Sequence, residues 1–357
     1  MKKLLALILA LAMLLALAAC SQSADNVGDD TTADTGDQAS TDNAAEEGGQ
    51  DAAPAGKIAV VFATGGLGDK TYNDSLYNGV EDICNELNLQ FDYSEPMDAA
   101  EYEPLLRGYA DTGEYDLIIS LGYSQGTSVE AVAPNYPDQK FMLIDAEVDC
   151  DNVACFAWRE NELSYMVGVM AAMMTESKVI GFIAAFDNYN CNMNATGLTA
   201  GVKSVDPEIQ VLVDYLGSWD DIAACKEMAI AMHEQGADII YHAASTAGLG
   251  ILEAGQENGF YTIGFDGNVN ADAPETNFAS AIRLFPVAAE IAINSALDGT
   301  FEGGTVSLGC AEHACEIQTE GSTVEVPQEV WDAVDAAEAG IADGSIQVPT
   351  TLEELNG

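Results

Sequence analysis

The 357 residues carry 11 basic against 59 acidic side chains, a formal charge of -48 at pH 7, and 48% of them are hydrophobic, which is length and apolar content enough for two domains. A chain this acidic lacks the clustered Lys and Arg that hold phosphate backbones or anionic headgroups, so nucleic acid is excluded as a partner and nucleotides are disfavoured. A neutral or cationic small partner suits the charge.

In chain order, the first element is a signal peptide over residues 1–19, where Lys2 and Lys3 precede an unbroken apolar run that ends Leu17-Ala18-Ala19-Cys20. Apolar, small, small, cysteine resembles the lipobox of bacterial lipoproteins. That resemblance makes Cys20 the expected acylated N-terminus, anchoring the protein to the extracytoplasmic face of the cell membrane. Residues 20–56 follow with nine acidic side chains, no basic ones and almost nothing apolar larger than Ala, which predicts a disordered, self-repelling spacer. From Lys57 onward 50 acidic and 9 basic residues remain, so the folded part is acidic too. No later apolar stretch is long enough to span a bilayer.

Beyond Lys57, short apolar β-branched runs alternate with amphipathic stretches. Strands are predicted at Ile58 to Ala63, Leu89 to Tyr93, Asp116 to Leu121, Phe141 to Ile144 and Val153 to Trp158, then at Val179 to Ala184, Val211 to Tyr215, Asp238 to His242 and Tyr261 to Phe265. Helical patterns fill most intervals, among them Tyr72 to Leu87, Tyr102 to Thr112, Glu162 to Met174 and Ile222 to Gln235. Strands alternating with helices imply parallel sheets covered on both faces, and two such series imply two doubly wound α/β domains. The chain is expected to cross between them near Trp158, Asp266 and Leu297. The N-terminal lobe is then 57–158 plus 267–297, and the C-terminal lobe 159–266 plus 298–350. A ligand belongs in the cleft, at loops following the carboxyl ends of the strands.

The loop after the first strand reads Thr64-Gly65-Gly66-Leu67-Gly68-Asp69-Lys70-Thr71-Tyr72-Asn73-Asp74. It is not a Walker loop, because Asp69 stands where Gly must precede Lys, and it lacks the dinucleotide glycine spacing. Locally it is a close-approach turn into a helix, which Asp69 or Asn73 can cap. The segment 65–74 resembles the signature of the basic membrane protein family, the purine-nucleoside-receptor type of substrate-binding lipoprotein serving ABC transporters. Further matching segments recur in family order, including Tyr136-Pro137-Asp138, Ser164-Tyr165-Met166-Val167-Gly168, Gly217-Ser218-Trp219-Asp220 and Gly264-Phe265-Asp266.

The resemblance implies a type I periplasmic-binding fold and a neutral nucleoside, a purine in the first instance, delivered to ABC permease subunits. It places Tyr72 and Trp219 on the two faces of the base. Asp266 is implied for the ribose hydroxyls, Asp145 for the base edge, and Asn73 and Asp74 for the same cleft. Ser245 and Gly248 follow a strand end and reach toward the sugar, with helix capping as the alternative. Arg283 stands where the family usually has Lys at the sugar, with a salt bridge to any of the many surplus carboxylates as the alternative. The loop Phe186 to Asn194, rich in Asn, reads first as turns.

Asp266, Asn268, Asn270 and Asp272 imitate the start of a calcium loop, but Ala271 replaces its Gly and Asn277 its Glu. No cofactor and no metal are expected. Seven cysteines remain after Cys20, and the pairs Cys150 with Cys155 and Cys310 with Cys315 are each close enough in sequence for a local disulfide. His233, His242 and His313 lie in no nucleophile or metal motif, so the chain reads as a binder, not an enzyme. Two alternatives stay open: a sensor for a receptor kinase, and a binder of another small neutral solute such as a sugar.

Overall fold

The computed structural model describes residues 54–356; the expected signal peptide, Cys20 and nearly all of the acidic spacer lie outside them. The first sheet is built from β1 (Lys57–Val61), β2 (Gln90–Ser94), β3 (Leu117–Leu121), β4 (Phe141–Ile144), β5 (Val153–Trp158) and a late strand, β11 (Gly304–Leu308). Its order is β11-β5-β4-β3-β1-β2, and every pairing is parallel. The second sheet takes β6 (Val179–Ala184), β7 (Gln210–Tyr215), β8 (Ile239–Ala243), β9 (Tyr261–Phe265), β10 (Asn277–Arg283) and β12 (Cys315–Gln318). It runs β12-β10-β9-β8-β6-β7, parallel except for β12, which pairs antiparallel with β10.

Position in the sheet explains composition. The inner strands β3, Leu-Ile-Ile-Ser-Leu, and β4, Phe-Met-Leu-Ile, are buried at every residue because helices cover both faces. The edge strand β2, Gln-Phe-Asp-Tyr-Ser, keeps two of its five residues exposed. On the first sheet the helices are α1 (Tyr72–Glu86), α2 (Tyr102–Thr112), α3 (Gly126–Val132) and α8 (Phe285–Asp298); on the second they include α4 (Glu160–Met174), α5 (Tyr189–Val205), α6 (Ile222–Glu234), α7 (Leu249–Asn258) and α9 (Gln328–Ala342). The short α10 (Leu352–Asn356) follows. No helix among the described residues is long and apolar enough to cross a membrane.

Helices α4 and α5 lie unusually close because glycines line their contact. A methyl group added at Gly168 would strike the Leu198 carbonyl, one at Gly197 the Asn161 carbonyl, and one at Gly201 the Tyr165 carbonyl. Both helices accordingly carry long buried faces and only short exposed ones.

The lobe boundaries differ from the sequence expectation at two crossings. After β5 ends at Trp158, the chain stays in the second lobe past Asp266, because β10 joins the second sheet. It returns at Leu284, after which α8 packs on the first lobe's core through Phe285, Ala288, Ala289 and Ile293. It does not leave near Leu297, since β11 pairs with β5; the last crossing lies between Leu308 and Cys315. So 267–283 belong to the second sheet and 304–308 to the first. The three crossings meet at one atom: the Ala314 carbonyl accepts from Trp158 Nε1 at 2.9 Å and from the Leu284 amide at 2.8 Å.

Candidate functional site

The two sheets repeat one topology, with the strand order reversing beside β1 in the first and beside β6 in the second. Open α/β sheets bind ligands where the order reverses, outside the carboxyl ends of the strands. A cavity lies there between the lobes, with about 720 Å3 of atom-free space counting its open mouth. The first lobe lines it with Ala63 and Thr64 after β1, Tyr72, Gly122 to Ser124 after β3, and Asp145 after β4. The second contributes Glu160 at the start of α4, Asn188, Asn190, Cys191 and Asn194 at the start of α5, Trp219 after β7, Ser245 after β8, Phe265 and Asp266 at the end of β9, and Arg283 at the end of β10.

The fourth strand of each series ends in an aspartate with left-handed backbone, Asp145 at φ 65° and Asp266 at φ 66°, and Ser245 sits at φ 49°. Non-glycine residues take this conformation at a cost, which aspartate tolerates best, and such strain gathers at functional sites. Here it turns both carboxylates onto one guanidinium. Arg283 donates from Nε and Nη2 to the two oxygens of Asp266 at 2.7 and 2.8 Å, and from Nη1 to Asp145 at 2.9 Å and to Glu160 at 2.7 Å. Four aromatic rings, those of Tyr72, Trp158, Phe265 and Phe285, have centroids 5.1 to 5.5 Å from its central carbon. Asp145 also accepts from the Tyr72 hydroxyl at 2.7 Å, and Glu160 from the Asn194 amide.

One cation among three buried carboxylates leaves an excess of negative charge. Burial works against the charge of Arg283, but Asp145, Asp266 and Glu160 outweigh it and keep it protonated. Burial pushes the Glu160 carboxyl up to about 8, with Asp145 and Asp266 adding to the rise and Arg283 opposing it. Burial also raises Asp266 against the pull of Arg283, and it raises the Tyr72 phenol, with Asp145 adding.

Of the residues predicted for the site, Tyr72, Asp145, Trp219, Ser245, Asp266 and Arg283 line this cavity. Asn73, Asp74 and Gly248 do not. The Asn73 side chain closes the glycine loop, accepting from the Ala63 amide at 3.0 Å and donating to the Gly66 carbonyl at 3.0 Å. Asp74 accepts from the amides of Gly68 and Lys70 at 2.8 and 2.9 Å. Asp69 supplies the cap, accepting from the amides of Thr71, Asn73 and Asp74. Gly248 is small because the His242 ring occupies the place its side chain would take.

Arg283 does make salt bridges, the alternative reading, but it makes them inside the cavity wall: it is 3% exposed and bound to three carboxylates. The calcium-like run disperses, Asp266 to Arg283, Asp272 to Lys70 and Asn270 to Asn277, and no cluster of metal-ligating side chains occurs among the described residues. Glu160 was missed, although its place beside the crossing at Trp158 was a usable signal. The Asn-rich run is turn only as far as Asn188, which caps α5 by accepting from the Cys191 amide at 2.9 Å; Tyr189 to Asn194 are helical rather than turn, and Asn190, Cys191 and Asn194 line the cavity.

The profile of the family described as ABC transporter substrate-binding protein, PnrA-like, matches residues 57–350. The chain belongs to this family. Among its relatives, the ABC transporter nucleoside-binding protein BmpA of Lactococcus lactis subsp. cremoris is 28% identical over 317 residues, covering 82% of this chain and 89% of that one. A lipoprotein of Pyrococcus abyssi is 29% identical over 345 residues, covering 84% and 85%. Among solved structures, a solute-binding protein of an ABC transporter system from Aeropyrum pernix superposes with a TM-score of 0.75 at 26% identity, over 84% of this chain and 95% of that one. The family and this likeness agree with the type I periplasmic-binding architecture of two mostly parallel sheets.

Proposed function

We propose that the protein captures a neutral nucleoside, with a purine base, in the cleft between its lobes and presents it to the permease of an ABC importer. The signal sequence with Cys20, and the relatives named as lipoproteins, support a lipid-anchored protein on the outer face of the cell membrane. The observation that carries the choice of cargo is the lining itself: an aromatic ring from each lobe, Tyr72 and Trp219, on a cavity whose polar wall is a row of carboxylate oxygens. Rings suit a flat heterocycle. Ionised carboxylate oxygens only accept hydrogen bonds and oppose a phosphate, while the raised Glu160 carboxyl keeps a proton it can donate, so the wall suits a ligand rich in hydroxyl groups. Trp219 is 39% exposed at the cavity and its ring tilts against Phe186 with centroids 5.4 Å apart, which leaves a face for a base.

Binding without chemistry follows, with closure of the lobes as the only event. Titration calorimetry with inosine, adenosine and guanosine tests the reading. Trp219→Ala and Tyr72→Ala are each expected to weaken binding by about 1–3 kcal/mol, roughly 5- to 150-fold, without unfolding the protein. Tyr72→Phe keeps the ring and is expected to lose less. Unchanged affinity in both alanine variants, or release of free base from the nucleoside, would refute it.

A further inference from the structure

Of the two cysteine pairs five residues apart, the structure separates one from the other. The Cys150 thiol donates to Asn152 Oδ1 at 2.9 Å, while the Cys155 thiol turns to the Val148 carbonyl at 3.7 Å. Cys310 and Cys315 instead face each other, with sulfurs 3.7 Å apart and both residues buried. They bracket the third crossing: Cys310 directly follows the segment leaving β11, and Cys315 opens β12, opposite Arg283 in the register. Between them sits Ala314, whose carbonyl ties the other two crossings together. His313 turns the chain back with φ 52°, which brings the two sulfurs to one side.

We infer that Cys310 and Cys315 are a disulfide site that staples the hinge, formed when the protein folds outside the reducing cytoplasm. The balance is simple. Two thiols and one small disulfide, R–S–S–R, give the protein disulfide and two R–SH: one thiolate attacks the small disulfide, the mixed disulfide is attacked by the second, and the protons leave with the released thiols. The native pair resists this exchange, because its contact with Cys315, and burial, hold the Cys310 thiol far above the ordinary thiol range. The bond therefore forms before the crossing is closed off, during folding. Once made, it shortens the free length of the crossing and fixes the Ala314 carbonyl under the other two.

The full chain, exported with its own leader, is denatured without reductant and its free thiols are alkylated. The peptide holding both cysteines should be unalkylated and lighter by two hydrogens than the reduced form, whereas Cys150 and Cys155 should be alkylated. Dithiothreitol should lower Tm. In Cys310→Ser and in Cys315→Ser the partner should become alkylated, and dithiothreitol should no longer move Tm. Alkylation of both Cys310 and Cys315 in the exported protein, or a bond from either to another cysteine, overturns the inference.

Discussion

Arg283 shows why a lysine would not serve at its position. A guanidinium offers five N–H groups in a fixed plane, and four of them are spent on three carboxylates that approach from different directions. An ammonium, a point charge on a flexible stem, cannot fork onto both oxygens of Asp266 while reaching Asp145 and Glu160. The arginine is thus mainly a residue that positions acceptors, with one N–H outside these bonds. The excess carboxylate has a consequence for stability. Glu160 holds its proton up to about pH 8, against an ordinary value near 4.5, so over that span the native state binds a proton that the unfolded chain has lost and stability falls as pH rises. His242 acts oppositely: burial lowers it from 6.5 to about 4, so its contribution is lost as pH falls through that window. Below about 6.5 the two oppose each other, and above it Glu160 acts without His242. Urea denaturation from pH 6.5 to 8.5 is expected to show stability declining, and Glu160→Gln is expected to flatten the decline. A slope equally steep in that variant would mean that some other group carries it.

At the scale of elements, the contact between α4 and α5 is where sequence and packing are most tightly bound. Gly197 and Gly201 sit one turn apart on α5, opposite Gly168 on α4, and each meets backbone carbonyl of the facing helix. Gly197→Ala should push the helices apart and cost about 1–3 kcal/mol, the usual range for overpacking, despite the better helix propensity of alanine. Thermal or urea denaturation checks this; a stabilised variant would show that the helices are not held at glycine distance. Helices α1, α2, α4 and α6 and the first nine strands were legible in the sequence because their apolar periodicity is regular and the α/β alternation is unbroken through Phe265. Legibility stopped where the alternation did. β10, with Asn277, Ser280 and Arg283 in a strand buried at every residue, looks like a polar site segment, since its polar side chains are satisfied inside: Asn277 by Asn270 and Thr262, Arg283 by the carboxylates. β11 is a mostly exposed edge strand, and β12 a four-residue antiparallel edge, so neither has a strong period. Misplacing β10 and β11 shifted two crossings, which also hid the pairing of Glu160 with Arg283 inside the second lobe.

For the molecule as a whole, the cleft was legible because strand order alone dictates where loops converge; the contacts that hold it shut were not, because they join residues far apart in sequence. The Ser75 hydroxyl donates to the Asp266 carbonyl at 2.7 Å, the Asn190 amide to the Asp145 carbonyl at 3.4 Å, and Lys70 pairs with Asp272 at 2.7 Å. The Lys70 pair is exposed and contributes little. Opening would return all of these groups, and Asp145, to water rather than leave them buried without partners, so the net cost of opening is small. A ligand with stronger contacts in the closed form can therefore decide the equilibrium. Gly267 gives a way to test this apart from the ligand contacts themselves. It follows Asp266 in the second lobe without a left-handed backbone, so alanine fits its local conformation, yet a methyl there would collide with the Lys70 carbonyl of the first lobe. Gly267 is buried in this structure, but opening of the lobes would both relieve the clash and expose it, so Gly267→Ala is expected to leave the Tm of the ligand-free protein within about 2 °C, a surface change costing no more than about 0.5 kcal/mol. Nucleoside affinity should fall at least tenfold, about 1.4 kcal/mol. The contraction seen by small-angle scattering on adding nucleoside should shrink with it. Full affinity with full contraction in this variant would mean that binding does not require the loop at Lys70 to seat against Gly267, and the closing motion would have to be assigned to a different pair of surfaces.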